Sequence, residues 1–470
     1  MGPAAACALA AGSLWPAQVA AASAIVDVPC SATSLVSDMS SAASGETLSL
    51  KARCIYQLRA GLPTVSQDLT IVGNGATLER SDAPDTPAFT ILSVADSIAV
   101  AVSDLNFANG DGAISVTGGS TNLTVQGGRF TDNHGVTGGA IYDNTGIGNL
   151  SVTGATFIRN TVTGSGGAIY TGPLGGDLTL TGDTFVGNAA GEGGGAILDF
   201  NVYGGVVTDC SFYDNRAADG GAIAEDTIEG GVIQGVFSRN TATDDGGAIA
   251  NVYAYVTVGG TIFGNHAGNE GGGIYLGHLE YAEIGMTLTA TLRGNSAEDG
   301  GGLYSVDDIA DLTSSTIDSN AAMANGGGIY NEQGGDGFGT INLGASQVDS
   351  NRAGAEGGGM YTVGGLAMVT ASGTPIDRNT AATGGGGIYD SSGGTVTLTN
   401  SPVLYNEPDN CEPAGSITGC TSRALPAPSG RSGSVGAVKN RNAATGPALP
   451  RHGACRLDRA RGRPLCRGSV

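Results

Sequence analysis

Gly138-Gly139-Ala140-Ile141-Tyr142 is the stretch that decides the fold, because the chain keeps rewriting it. It returns as Gly166-Gly167-Ala168-Ile169-Tyr170 and, shortened to Gly-Gly-Ala-Ile, at Gly194, Gly220 and Gly246. Later copies replace the Ala with Gly, running from Gly271, Gly300, Gly326, Gly357 and Gly385 to Tyr275, Tyr304, Tyr330, Tyr361 and Tyr389. The apolar anchors Ile141, Ile169, Ile197, Ile223, Ile249, Ile274, Leu303, Ile329, Met360 and Ile388 recur every 25 to 31 residues. A period in that range is the mark of a solenoid, in which each repeat stacks on the next.

A second element keeps the same phase. An apolar residue, two variable residues and an Asn follow each anchor after about 20 residues: Phe130 with Asn133, Phe157 with Asn160, Phe185 with Asn188, Phe212 with Asn215, Phe237 with Asn240. The series continues to Asn265, Asn295, Asn320, Asn351, Asn379 and Asn406, with Ile, Leu or Val in place of Phe. Short alternating segments such as Leu150-Ser151-Val152 lie between. Alternation over a few residues is strand, and 82 Gly residues argue against a helical repeat. The expectation is an all-β chain, a right-handed parallel β-helix of about 11–13 coils spaced roughly 4.8 Å apart. The anchors and the Phe positions would stack inside. The Asn residues would form an amide ladder at one turn, where Asn tolerates left-handed backbone.

The pairing of Gly-Gly-Ala-Ile with Phe-x-x-Asn resembles the repeat of polymorphic outer-membrane proteins and related right-handed β-helix repeat proteins of bacteria. The resemblance covers roughly residues 110 to 410, and the implied fold is similar to the pectate-lyase-like superfamily. It implies a protein of the secreted or cell-surface type, but that group mixes adhesins, passengers and lyases. No transporter barrel is recognisable, so the resemblance stops at the repeat.

The domain reading follows. Residues 1–24 are apolar and small, ending in Ala22-Ser23-Ala24, and read as a signal peptide without the usual basic start. Residues 25–65 read as an N-terminal cap: a strand at Val26–Val28, a short amphipathic helix within Ser31–Ala43 with Leu35 and Met39 on one face, and strands at Thr47–Leu50 and Ile55–Leu58. A cap is needed because an open solenoid end exposes core and unpaired strand groups. Residues 66–410 are the β-helix, and 411–420 its closed C-terminal end. Cys30 with Cys54, and Cys411 with Cys420, are expected to be disulfides closing the two ends, each contributing roughly 3 kcal/mol on the chain-entropy model. Cys210 reads as a buried free thiol. Residues 421–470 lack periodicity and are expected to be a disordered basic tail.

Charge is uneven. The chain carries −22. The first 420 residues hold 11 Lys and Arg against 42 Asp and Glu, a net −31. A body this acidic excludes nucleic acid as a partner, and no apolar run of about 20 residues follows the first segment, so no integral membrane domain is expected. A monomer is expected.

Two columns carry whatever chemistry the chain has. Four residues before the anchor stand Asp219, Asp245, Glu270, Asp299 and Glu356, with Asn325 between. Stacked one per coil, such acids repel by roughly 1 kcal/mol per pair in water and invite a cation, Ca²⁺ being the natural one. The bland alternative is a soluble, turn-forming edge. A second set, Asp143, Asp199, Glu225, Asn251, Asn331 and Asp390, follows the anchor by two residues. Beside the anchor runs a Tyr column, with Tyr275, Tyr304, Tyr330, Tyr361 and Tyr389 in consecutive coils. By strand alternation these point outward, either as a ligand-binding stripe or as a ladder that strengthens the sheet. No cofactor other than Ca²⁺ is indicated, and the spacings match no zinc set.

The preferred functional expectation is an exported, adhesin-like β-helix presenting an acidic, Tyr-lined face to a polysaccharide or protein. The alternative is a secreted polysaccharide lyase or glycosidase, for which Asp219, Asp244 and Asp245 are the candidate catalytic acids, since stacked carboxylates have glycosidase-like separations.

Overall fold

In a computed structural model the chain forms a right-handed parallel β-solenoid of about 13 coils. The structure describes residues 24–172, 176–200, 205–225, 231–251, 255–277, 285–335, 339–420, 455–458 and 463–466. The segment read as a signal peptide and most of the tail lie outside these residues. Met1–Pro426 form one compact unit and Ala427–Val470 a second, in which Cys455–Asp458 pairs antiparallel with Arg463–Cys466.

Each coil contributes to two principal sheets. Among the described residues the first holds the anchors in 13 parallel strands, from Leu92–Val94 to Cys411–Glu412. Its register pairs Ile141 with Ile169, Ile169 with Ile197, Ile197 with Ile223, and onward to Met360 with Ile388, anchor on anchor throughout. The second sheet has 25 strands among the described residues and takes the remaining length of each coil in two short pieces, such as Leu150–Thr153 and Thr156–Ile158. In the coils at Val206–Tyr213, Gly231–Ser238, Val256–Phe263 and Gly285–Arg293 the two pieces fuse into one longer strand. Two-residue strands such as Thr161–Val162 complete the coil beyond the Asn turn.

The Gly pair follows from backbone geometry. The first Gly of every copy, Gly138 through Gly385, has φ between +59° and +68°, a conformation that strains any residue with a Cβ. At the second, a Cβ on Gly167 would lie 2.1 Å from the Gly195 carbonyl oxygen of the next coil. Two different constraints, one torsional and one between coils, therefore demand adjacent glycines.

Inside, the core runs as columns. The anchors are no more than 1% exposed. Phe107, Phe130, Phe157, Phe185, Phe212 and Phe237 stack with ring centroids 4.6–5.1 Å apart and planes within 13°. Each buried Phe contributes roughly 2–3 kcal/mol by burial alone.

The Asn ladder forms as expected and runs one rung further. Each amide Nδ2 donates to the Oδ1 of the next ladder residue at 2.9–3.1 Å, one coil onward from Asn133 to Asn379 and four residues onward at Asn406. Asn410 takes the last rung. The same Oδ1 also accepts the preceding ladder residue's backbone N–H, as Asn160 Oδ1 does from Asn133. One detail differs from the sequence expectation. The left-handed residue is the one before the Asn: Asp132, Arg159, Gly187, Asp214, Arg239 and their successors have φ of +51° to +65°. The Asn side chain is thus free to point inward, and all eleven are buried.

The N-terminal end carries a helix, α1 (Ala32–Ser41), capped by Ser31, whose Oγ accepts the Ser34 N–H, with Leu35 and Met39 buried. Stacking is continuous across this region, since Ile25–Val28 pairs with Glu46–Leu50, which pairs with Leu69–Val72. Cys30–Cys54 and Cys411–Cys420 are both disulfides, and Cys210 is a buried free thiol.

Candidate functional site

The turn that leads into the Gly pair sets a polar residue at the rod's surface in most coils, with Gly193 and Gly384 as the exceptions. Its side chain reaches one coil onward: Asp219 Oδ1 accepts the Asp245 backbone N–H at 3.3 Å, Asp245 Oδ1 that of Glu270 at 3.1 Å, Asp299 Oδ1 that of Asn325 at 2.7 Å, and Asn325 Oδ1 that of Glu356 at 3.2 Å. The expected acid column therefore exists, and in Asp219, Asp245, Asp299 and Asn325 one side-chain oxygen ties a coil to the next. The other carboxylate oxygens crowd one another. Desolvation, with Asp244 adding repulsion, pushes Asp219 up to about 6. Desolvation, then Glu270 and Asp219, pushes Asp245 up to about 7. Glu270 is pushed up to about 7 by desolvation and by Glu332, and Asp299 is raised mainly by desolvation. Among the described residues no salt bridge reaches this column; the bridges Arg159–Asp132, Arg239–Asp214 and Arg378–Asp349 lie at the Asn turn instead.

The Tyr column runs alongside. Tyr275, Tyr304, Tyr330, Tyr361 and Tyr389 stack in sequence at 4.6–5.8 Å, three of the four contacts near parallel and Tyr330–Tyr361 tilted by 32°. Tyr142 and Tyr170 form a separate pair at 5.4 Å. Each ring covers its neighbour's face, so hydroxyls and ring edges are what the column presents. Beside the acid column, Tyr304 donates its hydroxyl to Glu332 Oε2, and the Glu270 carboxylate acts on the same hydroxyl through its charge. Burial and these carboxylates raise the Tyr275, Tyr304 and Tyr330 hydroxyls well above the usual phenol range.

Glu332 escaped sequence reasoning because its position does not repeat. The parity of its strand, Ile329 in, Tyr330 out, Asn331 in, Glu332 out, holds the signal. A hydroxyl ladder was also missed. Ser315, Ser346, Thr374 and Ser401 each accept the backbone N–H of the coil before, at Ala290, Ser315, Ser346 and Thr374 respectively. In earlier coils Asp183 and Cys210 take this slot, accepting from Ala155 at 2.7 Å and from Asp183 at 3.4 Å. Burial drives the Cys210 thiol up to about 12, so it stays protonated.

The second polar set points inward. Asp143, Thr171, Asp199, Glu225 and Asn251 occupy one register line and are all buried. Thr171 donates to Asp199 Oδ1 at 2.6 Å. Asp143, which accepts from the Thr145 backbone, is pushed up to about 6 by desolvation.

For catalysis, the structure brings Asp219 and Asp245 together, with Asp244 exposed beside them. Two surface cavities, one of about 340 Å³ at Thr90, Ser115, Thr137 and Tyr142, the other at Phe263 and Arg293, do not include them. Among the described residues no three His, Cys, Asp or Glu side chains converge as a metal set.

Two segments of the chain, residues 154–172 and 234–252, match the Chlamydia polymorphic membrane protein (Chlamydia_PMP) repeat. Each spans an Asn turn and the following Gly-Gly-Ala-Ile anchor, the two halves of the structural coil. Together with the solenoid they make this a PMP-like β-helix repeat protein. No curated protein and no solved structure matches the chain.

Proposed function

We propose that the chain is a cell-surface β-helix whose acid and Tyr columns form one binding ridge for the basic surface of another protein. The observation that carries this is the stacking of the tyrosines. Sugar platforms use open ring faces, and here neighbouring rings cover each other's facing sides, so only the end rings Tyr275 and Tyr389 keep a face that no other Tyr covers. What remains is a line of carboxylates and phenol edges, from Asp219 to Glu356, with no cationic partner among the described residues. Such a surface attracts Lys and Arg over a distance set by salt. The surface location is supported by the repeat match, whose printed name refers to a membrane protein. The raised Asp219 and Asp245 carboxyls are the one observation that favours the enzymatic alternative.

Binding of a 20-residue oligolysine, chitin oligomers and oligogalacturonate would be compared for three proteins: wild type, a ridge variant (Asp219→Asn, Asp245→Asn, Glu270→Gln, Asp299→Asn, Glu356→Gln), and a variant with Asp82, Asp85, Asp104, Asp111 and Asp311 changed to Asn. The expected result is oligolysine binding that weakens with salt, falls at least about 10-fold in the ridge variant and less than about 2-fold in the second. Equal loss in both variants, or binding of neutral or acidic sugars alone, would overturn the proposal. Release of reducing or unsaturated ends that depends on Asp219 and Asp245 would establish the enzyme instead.

A further inference from the structure

Asp199 and Glu225 are register partners in consecutive coils, inside the rod, each 2% exposed. Two buried carboxylates side by side are costly unless a positive charge joins them. The sequence supplies none. Between Arg159 and Arg293 there is no Lys, and the cationic or titratable nitrogens are Arg216, Arg239, His266 and His278. Arg239 is bonded to Asp214 at the surface, Arg216 is exposed, and His266 is exposed against Ser296. His278 belongs two anchors further along the chain. Among the described residues Glu225 Oε2, fully enclosed, has no hydrogen-bond partner, a gap of the kind that strain, a bound water or an ion accounts for in native folds. Burial, and then Asp199, raise the Glu225 carboxyl to about 8 when nothing is bound.

We propose that Asp199 and Glu225 form an internal Ca²⁺ site, the ion lying between two consecutive coils with one carboxylate on each side. Coil spacing of roughly 4.8 Å is about twice a Ca–O distance of about 2.4 Å, so an ion midway contacts both layers. Asn251, the register neighbour of Glu225 in the following coil, brings an amide to the same line, and Ca²⁺ accepts amide and carbonyl oxygens to fill its shell. Mg²⁺, which holds its waters, suits this closed site poorly. The site is separate from the surface ridge.

The test uses the full chain stripped with EGTA. Calorimetric titration with CaCl₂ and thermal melting at pH 7.5 would be run on wild type, Glu225→Gln, Asp199→Asn and the surface variant Asp219→Asn/Asp245→Asn. About one Ca²⁺ per chain is expected, with a rise of several degrees in Tm for wild type and the surface variant. Neither interior variant should respond. Glu225→Gln should melt in EGTA at or above wild type, because at constant shape it replaces a buried carboxyl that must take up a proton to stay neutral, which shows that its silence is not misfolding. A wild-type Tm indifferent to Ca²⁺ would overturn the proposal and leave a shared proton between the carboxyls. A response lost in the surface variant would overturn it equally.

Discussion

A buried Asn has four hydrogen-bonding positions to satisfy, and a solenoid answers all of them by repetition. In Asn215 the Nδ2 donates to Asn240 Oδ1 and to the Phe185 carbonyl, while Oδ1 accepts from the Asn188 backbone and side chain. Removing it strands the groups of two coils at once. Asn215→Ala is therefore expected to cost about 3 kcal/mol in urea unfolding, since each stranded buried group costs about 1–3 kcal/mol; a loss below about 1 kcal/mol would mean that the ladder is incidental. This ladder was legible because one residue type holds one phase. The hydroxyl ladder was not, because Asp183, Cys210, Ser315 and Thr374 share a hydrogen-bonding role and no chemistry that a sequence pattern would group. The left-handed residue was misplaced by one position for a related reason. Its identity varies from Asp to Arg to Gly to Tyr, and only the fixed Asn beside it stood out.

At the level of the element, the turn that carries the acid column is the one whose behaviour depends on pH. Asp219, Asp245 and Glu270 titrate at about 6 to 7 in the folded chain, and the interior Asp143 and Asp183 at about 6 and 7, all chiefly through desolvation. In the unfolded chain such groups titrate near 4. A folded pKa above the unfolded one means that the folded state binds the proton more tightly. The stabilisation is fully present below about pH 4 and is lost as pH rises through 6 to 7. Asp96, lowered by its Ser97 and Ser120 hydrogen bonds, pulls the other way. In EGTA, Tm is therefore expected to be higher at pH 5 than at pH 8; the opposite order in a melting series would refute the description of these turns. The column itself was visible in the sequence as a phase. The Tyr304–Glu332 hydrogen bond beside it was not, since Glu332 appears once. The cap helix was visible through Leu35 and Met39, whereas the continuity of its flanking strands with the first coils depends on pairings between residues more than 20 apart.

For the whole molecule, everything depends on distance along the rod being counted in coils. The acid and Tyr columns make a ridge, and the interior acids a site, only because residues 25 to 31 apart in sequence are one layer apart in space. Pulsed electron–electron resonance between nitroxides reads this directly. Arg159, Arg239 and Arg378 occupy the same exposed turn, with side chains more than half accessible. Labels at Arg239 and Arg378, five coils apart, are predicted to lie roughly 24 Å from each other, and labels at Arg159 and Arg378, eight coils apart, roughly 38 Å, in proportion to coil number at about 4.8 Å per coil. Two distances that fail to increase in that ratio would contradict the stacked register and, with it, the ridge and the interior site.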